Sequence, residues 1–117
     1  MGSIQKAAEE LAAALRQVPG VRVYTEAGAV PDPPAVLIGP PRLRWETQAP
    51  DLAPTSATFP VWLVVTLDDR ALYRLWDLVP AVALALDEHA AATVVEATPD
   101  VYHGDLPAYL LTVEVGL

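Results

Sequence analysis

The stretch from Thr58 to Glu88 restricts the fold more than any other part of the chain, because its hydrophobic period changes once, at Asp68-Asp69. Before that point the segment FPVWLVV is apolar on both of the faces that a strand presents, which is typical of a strand covered on both sides. After that point, apolar residues three and four positions apart define one stripe of a helix: Leu72, Leu75, Val79, Val82 and Leu86. The sequence therefore predicts a central strand that leads directly into a helix packed on the sheet.

Three further features of this helix allow predictions. Pro80 lies in its middle, removes one backbone donor and predicts a kink or a break into two short helices. Tyr73 and Trp76 lie beside the apolar stripe and are expected to widen the buried face. The paired aspartates before the helix are interpreted as capping and dipole-stabilising residues rather than as catalytic ones.

The rest of the chain supplies one more helix and four strands. A helical stripe over residues 4–18 predicts an amphipathic helix that ends at Pro19-Gly20. Strands are predicted at Val21–Glu26, Ala35–Ile38, Ala92–Thr98 and Ala108–Val115, and residues 99–107 are expected to form the last turn. The chain is thus predicted to be a single α+β domain over residues 1–117, with the order α-β-β-β-α-β-β. Two helices would cover one face of a mainly antiparallel sheet of about five strands.

A long polar segment, Arg42–Ala57, separates the second and third predicted strands. It is expected to be a loop, and loops of this length are uncommon in compact domains unless they are functional or disordered. Trp45 stands in it between arginines and Glu46, which predicts a protein contact built on an aromatic anchor. The alternative is that Trp45 folds back onto its own sheet, with Leu43 and Trp45 alternating against Arg42, Arg44 and Glu46 as an extension of a hairpin. Both interpretations remain open at this point.

Composition restricts the class of protein. A chain of 117 residues without cysteine is the size of one domain and has neither disulfides nor thiolate chemistry. Its net charge of −8 argues against a surface that grips nucleic acid, since such surfaces neutralise phosphates with Lys and Arg. No apolar run approaches the roughly 20 residues of a membrane helix, and no secretory signal is recognisable at the amino terminus. We expect a soluble protein, made in the cytoplasm, whose surplus apolar surface can be buried at subunit contacts.

No motif for catalysis, phosphate binding or metal binding is recognisable in the sequence. The two histidines, His89 and His103, are interpreted as surface residues at a helix end and in a turn. Glu96 and Glu114 fall on adjacent predicted strands and could pair, but they equally suit the polar side of half-exposed strands. We therefore expect no catalytic residue, no metal and no cofactor.

Several segments taken together carry a resemblance to a known family. They are the amino-terminal helix leading into VPGVRVYTE, the segment PPAVLIGPPRLRWE, the strand FPVWLVV with the helix DDRALYRLWDLVPAVALAL, and the closing pair VVEATPDVY and LPAYLLTVEVGL. In this order and spacing the chain resembles the tail terminator, or tail-completion, proteins of long-tailed bacteriophages, particularly those of actinobacterial phages and prophages. The resemblance covers essentially the whole chain.

The resemblance implies a structural protein of the virion, at the neck between tail and head. Such a subunit assembles as a hexameric ring on the head-proximal end of the tail tube, stops polymerisation of the tube protein and presents the docking surface for the head connector. DNA would pass through the channel without specific binding, and no membrane is involved. Under this interpretation the contact with the tube or the connector falls on Arg42, Arg44, Trp45 and Glu46.

Two alternatives are consistent with the same sequence. A head-tail joining or connector ring of the same neck would share the fold style, the acidity and the lack of catalytic motifs. A small ligand-binding or regulatory α+β domain is the alternative from another class, because a sheet with two helices hosts many functions.

Overall fold

The central strand of the sheet is Ser56–Val64, the strand that the alternating apolar residues predict. It belongs to a computed structural model that describes residues 3–26, 29–46, 52–102 and 104–117. In chain order the elements are α1 (Ser3–Leu15), β1 (Arg22–Tyr24), β2 (Ala35–Ile38), β3 (Arg42–Arg44), β4 (Ser56–Val64), α2 (Ala71–Ala90), β5 (Thr93–Tyr102) and β6 (Leu106–Gly116). The predicted α+β class is confirmed.

The six strands form one mixed sheet in the order β1-β2-β4-β6-β5. Strands β1 and β2 are parallel, and the other pairs are antiparallel. β3 also pairs with β4, along the part of β4 that β2 leaves free, so β2 and β3 follow one another on the same side of the central strand. β3 therefore pairs directly with the central strand β4, whereas β2 separates β1 from β4.

The prediction of about five strands, with an uninterrupted loop from Arg42 to Ala57, is wrong in this detail. The segment begins with β3, in which Arg42 pairs with Thr58 and Arg44 with Ser56. β3 is a strand because it pairs with β4. Within it Leu43 packs against the core, and the side chains of Arg42 and Arg44 on either side face outward. The observed order is α-β-β-β-β-α-β-β.

Both helices cover the same face of the sheet, as predicted. Leu11 and Leu15 of α1 and Leu75, Val82 and Leu86 of α2 are buried against alternate residues of the strands. The strand residues on this face include Val36, Phe59, Val61, Leu63, Leu111 and Val113. Burial of these side chains is the main force that holds the helices on the sheet.

The other face of the sheet, the open face, has no helix on it among the described residues. At one end a second cluster forms, in which Leu37, Val64 and Ala108 are buried beneath neighbours that include Tyr24, Trp62 and Tyr102. At the other end the open face is polar, with Ser56, Thr58, Thr112 and Glu114 side by side on β4 and β6.

Two expectations about α2 are corrected by the structure. The helix is continuous from Ala71 to Ala90 with Pro80 inside it, so it does not break into two, and a kink at Pro80 stays a prediction. Leu75 and Val82, on either side of Pro80, are both buried and hold the two halves against one core. Tyr73 and Trp76 do not widen the buried face, because 61% and 51% of their surfaces are exposed.

The last hairpin is longer than predicted. The predicted turn over residues 99–107 is mostly strand, and β5 pairs with β6 from Thr93 to Tyr102 with one bulge between Val94 and Glu96. Pro99 lies within β5, which is possible because β5 is at the edge of the sheet, where a missing backbone donor can face solvent.

Candidate protein-interaction site

Strand β3 places two arginines on the open face. Residues on one strand alternate between the two faces, so Leu43 packs toward the core and Arg42 and Arg44 project together from the other side. Both arginines are exposed. The local sequence RLR thus presents two guanidinium groups from backbone positions about 7 Å apart along the edge of the sheet.

These two guanidinium groups have no ion pair within the residues that the structure describes. Two other arginines differ in this respect: Arg22 lies 3.4 Å from the carboxylate of Asp32, and Arg74 pairs with Asp68. In a chain with a net charge of −8, two adjacent cations without a carboxylate partner are available for an external one.

Trp45 follows β3 directly and is held in a defined position. Its indole Nε1–H donates a hydrogen bond to the carbonyl oxygen of Leu52, at 2.7 Å. About half of the side chain, 53%, nevertheless remains exposed. The polar edge of Trp45 is therefore bound within the chain, to a residue outside the strands, while about half of its surface is exposed. The contact of Trp45 with another protein stays a prediction. Glu46 is exposed beside it.

An open cleft of about 360 Å³ adjoins this segment on the open face. It is lined by the three residues of β3, by the polar residues Ser56, Thr58, Thr112 and Glu114, and by Val95 of β5. Guanidinium and hydroxyl groups in this arrangement suit carboxylate or backbone carbonyl groups of a partner. The structure thus brings the predicted residues Arg42, Arg44, Trp45 and Glu46 together at one edge of the sheet.

A second exposed aromatic group lies on α2. The rings of Tyr73 and Trp76 meet edge to face, with 5.8 Å between their centroids. Leu84 is also exposed, and it lies on the same side of the helix as Pro80. The sequence contains the signal for this surface, since positions 73, 76, 80 and 84 fall on the side of the helix opposite the buried stripe. Because Tyr73, Trp76 and Leu84 are large apolar residues, their residue types suggest burial, although their positions lie on the exposed side of the helix.

Asp68, the first of the two aspartates before α2, has a structural role that differs from capping. The helix begins after Arg70, and no side chain makes a cap hydrogen bond there. Asp68 lies two residues earlier, accepts the backbone N–H of Arg70 at 2.9 Å and pairs with the side chain of Arg74. The Arg74 hydrogen bond, with the Arg70 N–H, holds the pKa of the Asp68 carboxyl below its ordinary value.

The remaining titratable candidates stay apart. Glu96 pairs with Thr112 and Glu114 with Thr93, so the two glutamates are not partners across the sheet. His89 is exposed and lies 3.9 Å from Glu88. His103 lies outside the described residues. Within those residues no three His, Asp or Glu side chains are grouped closely enough to hold a metal ion.

No protein-family model matches the chain, and no curated protein matches it in sequence. Neither of the two described helices has the length and apolar character needed to cross a membrane.

Proposed function

We propose that this chain is a structural subunit of a phage virion that caps the head-proximal end of the tail tube as a homohexameric ring. The ring would end polymerisation of the tail tube protein and offer the docking surface for the head connector. The proposal starts from the sequence resemblance to tail terminator proteins. The surface of the folded chain supports it.

The observation that carries the proposal is the composition of the Arg42–Glu46 segment. It combines a half-exposed tryptophan, fixed by a hydrogen bond to Leu52, with two guanidinium groups that have no partner in the described part of the chain. Tryptophan and arginine are the residues most often found at the energetic centres of protein interfaces. Because the indole is already held in place, less conformational entropy is lost when a partner binds.

A subunit of a capping ring needs more than one contact surface, since it touches its neighbours within the ring and other proteins along the tail axis. This chain has a second exposed aromatic group, Tyr73 and Trp76 on α2, on the helix-covered side of the sheet. The Arg42–Glu46 segment lies at the edge of the sheet and faces its open side. The two groups can therefore engage different partners at once.

The charge of the chain suits a ring around a DNA channel. Six copies carry 6 × −8 = −48 formal charges. Such a ring repels the phosphate backbone, so DNA can cross the channel without specific binding.

The test uses purified protein mixed with the tail tube protein of the same phage, imaged by negative-stain electron microscopy. Wild type should appear as a ring at one end of the tubes and should limit their length. Trp45→Ala should fold like wild type, as judged by circular dichroism, but bind tube ends much more weakly. Leu67→Ala, which removes an exposed apolar side chain from the segment between β4 and α2, is the matched control and should cap normally.

Three results would count against the proposal. Absence of the wild-type protein from tube ends, with no effect on tube length, contradicts it. Binding to the portal-side adaptor instead of the tube supports the connector-ring alternative. A dimer that a small molecule stabilises against heat supports the ligand-binding alternative.

A further inference from the structure

The two edges of the sheet carry opposite charges on the same face. β3, at one edge, presents Arg42 and Arg44 toward the open face. β5, at the other edge, presents Glu96 and Asp100, with Thr98 between them. These three residues share the open face because they pair with Thr112, Leu110 and Ala108 of β6, which point away from the helices. No lysine or arginine occurs in β5.

The opposite charges cannot meet within one molecule. Strands β4 and β6 separate β3 from β5, a distance of three inter-strand steps or about 14 Å. No ion pair joins them in the described ranges. β5 is also the longest edge strand of the described sheet. It has ten residues, and the backbone groups that point outward from every second residue have no neighbouring strand among the described residues.

We propose that the β5 edge of one copy pairs with the β3 edge of the next copy, so that the sheets continue from subunit to subunit. This inference rests on the proposed ring and names the contact that would close it. It also divides the predicted interface. Arg42 and Arg44 contact the neighbouring subunit, whereas Trp45 and Glu46, beyond the end of β3, are left for the tube or the connector.

The strand directions suit this contact. β3 and β6 are both antiparallel to β4, and β5 is antiparallel to β6, so β5 runs opposite to β3. Copies related by rotation about an axis roughly along the strands keep their strand directions. β5 of one copy then meets β3 of the next as an antiparallel pair, with the two open faces on the same side.

The spacing of the charges fits as well. Arg42 and Arg44 are two residues apart, and so are Glu96 and Thr98, and Thr98 and Asp100. If Arg44 lies opposite Glu96, then Arg42 is diagonal to Asp100. If instead Arg42 lies opposite Asp100, then Arg44 is diagonal to Glu96. In either register both carboxylates are opposite or diagonal to a guanidinium group, which is within reach of a long side chain. The first register is favoured, because it places Ala97 opposite Leu43, whereas the second places Pro99 there, which has no backbone donor for the incoming strand.

The same charges disfavour a two-fold dimer. Pairing β5 with β5 would place Glu96 of one copy near Asp100 of the other, and pairing β3 with β3 would bring arginines together. Like charges opposite one another destabilise a strand pair. A head-to-tail contact between different edges is therefore favoured, and such contacts generate rings when the rotation closes.

The shape of the edge leaves room for this neighbour. β1 pairs with the outer side of β2 but does not extend along β3, so no strand among the described residues pairs with the outer side of β3. β5 of the neighbouring copy would occupy this position, next to β3 and in line with β1. The ladder with β3 is only three residues long, so each contact is weak and the assembly gains from ring closure.

The experiment measures self-association by sedimentation velocity and native mass spectrometry. Arg42→Glu/Arg44→Glu makes both edges acidic, and Glu96→Arg/Asp100→Arg makes both edges basic. We expect each variant alone to lose association by at least about tenfold in Kd, because cross-strand attraction becomes repulsion. An equal mixture of the two should associate again, with the two variants alternating. All four substitutions on one chain should restore self-association.

Matched variants control for net charge and for folding. Lys6→Glu on α1 together with Arg16→Glu, one residue beyond its end, gives the same net charge as the first variant, −8 − 4 = −12. Glu9→Arg/Glu10→Arg, also exposed on α1, gives the same net charge as the second, −8 + 4 = −4. Both controls should associate like wild type. Circular dichroism must show the same fold for every variant, and recovery in the mixture excludes misfolding as the cause of the loss.

Salt provides an independent measurement. Wild-type association should weaken between about 0.01 M and about 1 M salt, over which the Debye length falls from about 30 Å to about 3 Å. The variant with all four substitutions should show the same dependence.

Several results would overturn the inference. One is a wild-type chain that stays monomeric at low salt, and another is a pair of single-edge variants that associate like wild type. A third is stronger association of Glu96→Gln/Asp100→Asn, which would mean that these carboxylates guard the edge against pairing. The proposed function fails separately, through the absence of capping. A wild type that caps tubes while both single-edge variants still form rings would reject this contact alone.

Discussion

The indole Nε1–H of Trp76 donates a hydrogen bond to the hydroxyl oxygen of Tyr109, at 3.0 Å, and so joins the outer side of α2 to β6. The two residues are 33 positions apart in the chain. Trp76 is half exposed, and its ring contacts that of Tyr73. The aromatic group on α2 is therefore held by the sheet, and it presents a fixed surface to solvent.

We expect this hydrogen bond to stabilise the folded chain. In a double-mutant cycle of Trp76→Phe and Tyr109→Phe, the coupling free energy of unfolding should be about 0.5–1.5 kcal/mol, the usual net value for one hydrogen bond. Urea unfolding monitored by circular dichroism gives the four free energies. Strictly additive effects of the two substitutions would mean that the bond contributes nothing.

Gly39 is expected to be intolerant of a side chain because of space. A Cβ at this position would lie 2.8 Å from Cζ3 of Trp62 and 2.9 Å from Cγ of Pro60, on the central strand. Gly39 also donates its N–H to the carbonyl of Pro60, so the backbone cannot easily move away. Gly39→Ala should therefore destabilise the fold by about 1–3 kcal/mol, as overpacking does.

Gly116→Ala is the matched control for Gly39→Ala, because a Cβ at Gly116 has no atom within 4 Å. It should change the free energy of unfolding by less than about 0.5 kcal/mol. In a Trp62→Leu background, where the indole is gone, Gly39→Ala should cost less than in wild type. An unchanged cost in that background would contradict the steric explanation.

The sequence predicts those parts of the fold in which apolar residues are buried and polar residues are exposed. Ala35–Ile38 is predicted at its observed bounds because all four side chains are apolar and all four are buried. The change of period at Asp68-Asp69 likewise separates β4 from α2. Leu43, in contrast, is one apolar residue between two arginines, and β3 exists because β4 offers it a partner. Such pairing between distant segments has no local signal.

The same limit explains the outcome for the candidate site. Alternation along a strand is enough to place Arg42 and Arg44 on one face, once β3 is recognised as a strand. Nothing in the local sequence shows that Trp45 binds the carbonyl of Leu52. The turn predicted over residues 99–107 was wrong because Pro99 normally marks a break, and an edge strand tolerates it.

The C-terminal end of α2 offers a stabilising substitution. Ala91 has a positive φ of 49°, in the left-handed region, while the N–H of Ala92 closes the helix on the carbonyl of Leu86. A Cβ is unfavourable in this conformation, and glycine adopts it without a steric cost. Ala91→Gly should therefore raise the free energy of unfolding by up to about 1 kcal/mol.

The control is Ala81→Gly, at an exposed position inside the same helix, and it should lower the free energy of unfolding by about 1 kcal/mol. Thermal and urea unfolding of both variants measure the difference, and destabilisation by Ala91→Gly would contradict the prediction.

Asp68 is expected to make the stability of the fold depend on pH. The hydrogen bond from Arg74, followed by that from the Arg70 N–H, lowers the pKa of the folded state below the ordinary value of 3.8. A group whose pKa is lower in the folded state stabilises the fold when it is ionised. This contribution is complete above the unfolded-state pKa and is lost as pH falls through the folded-state pKa.

Asp68→Asn should thus be less stable than wild type near pH 7, and the difference should vanish as the pH falls below the ordinary aspartyl range. Urea unfolding at a series of pH values measures it. Arg74→Gln removes the principal cause of the lowered pKa, so in that background Asp68→Asn should produce little pH-dependent difference in stability. Asp69→Asn, at a neighbouring aspartate with no ion pair in the described part of the chain, is the matched control and should follow the wild-type profile. The contradicting result would be a difference in stability between Asp68→Asn and wild type that stays constant down to strongly acidic pH. A contribution from the ionised carboxylate must disappear when Asp68 is protonated. A constant difference would therefore come from the shape and the neutral hydrogen bonds of the side chain.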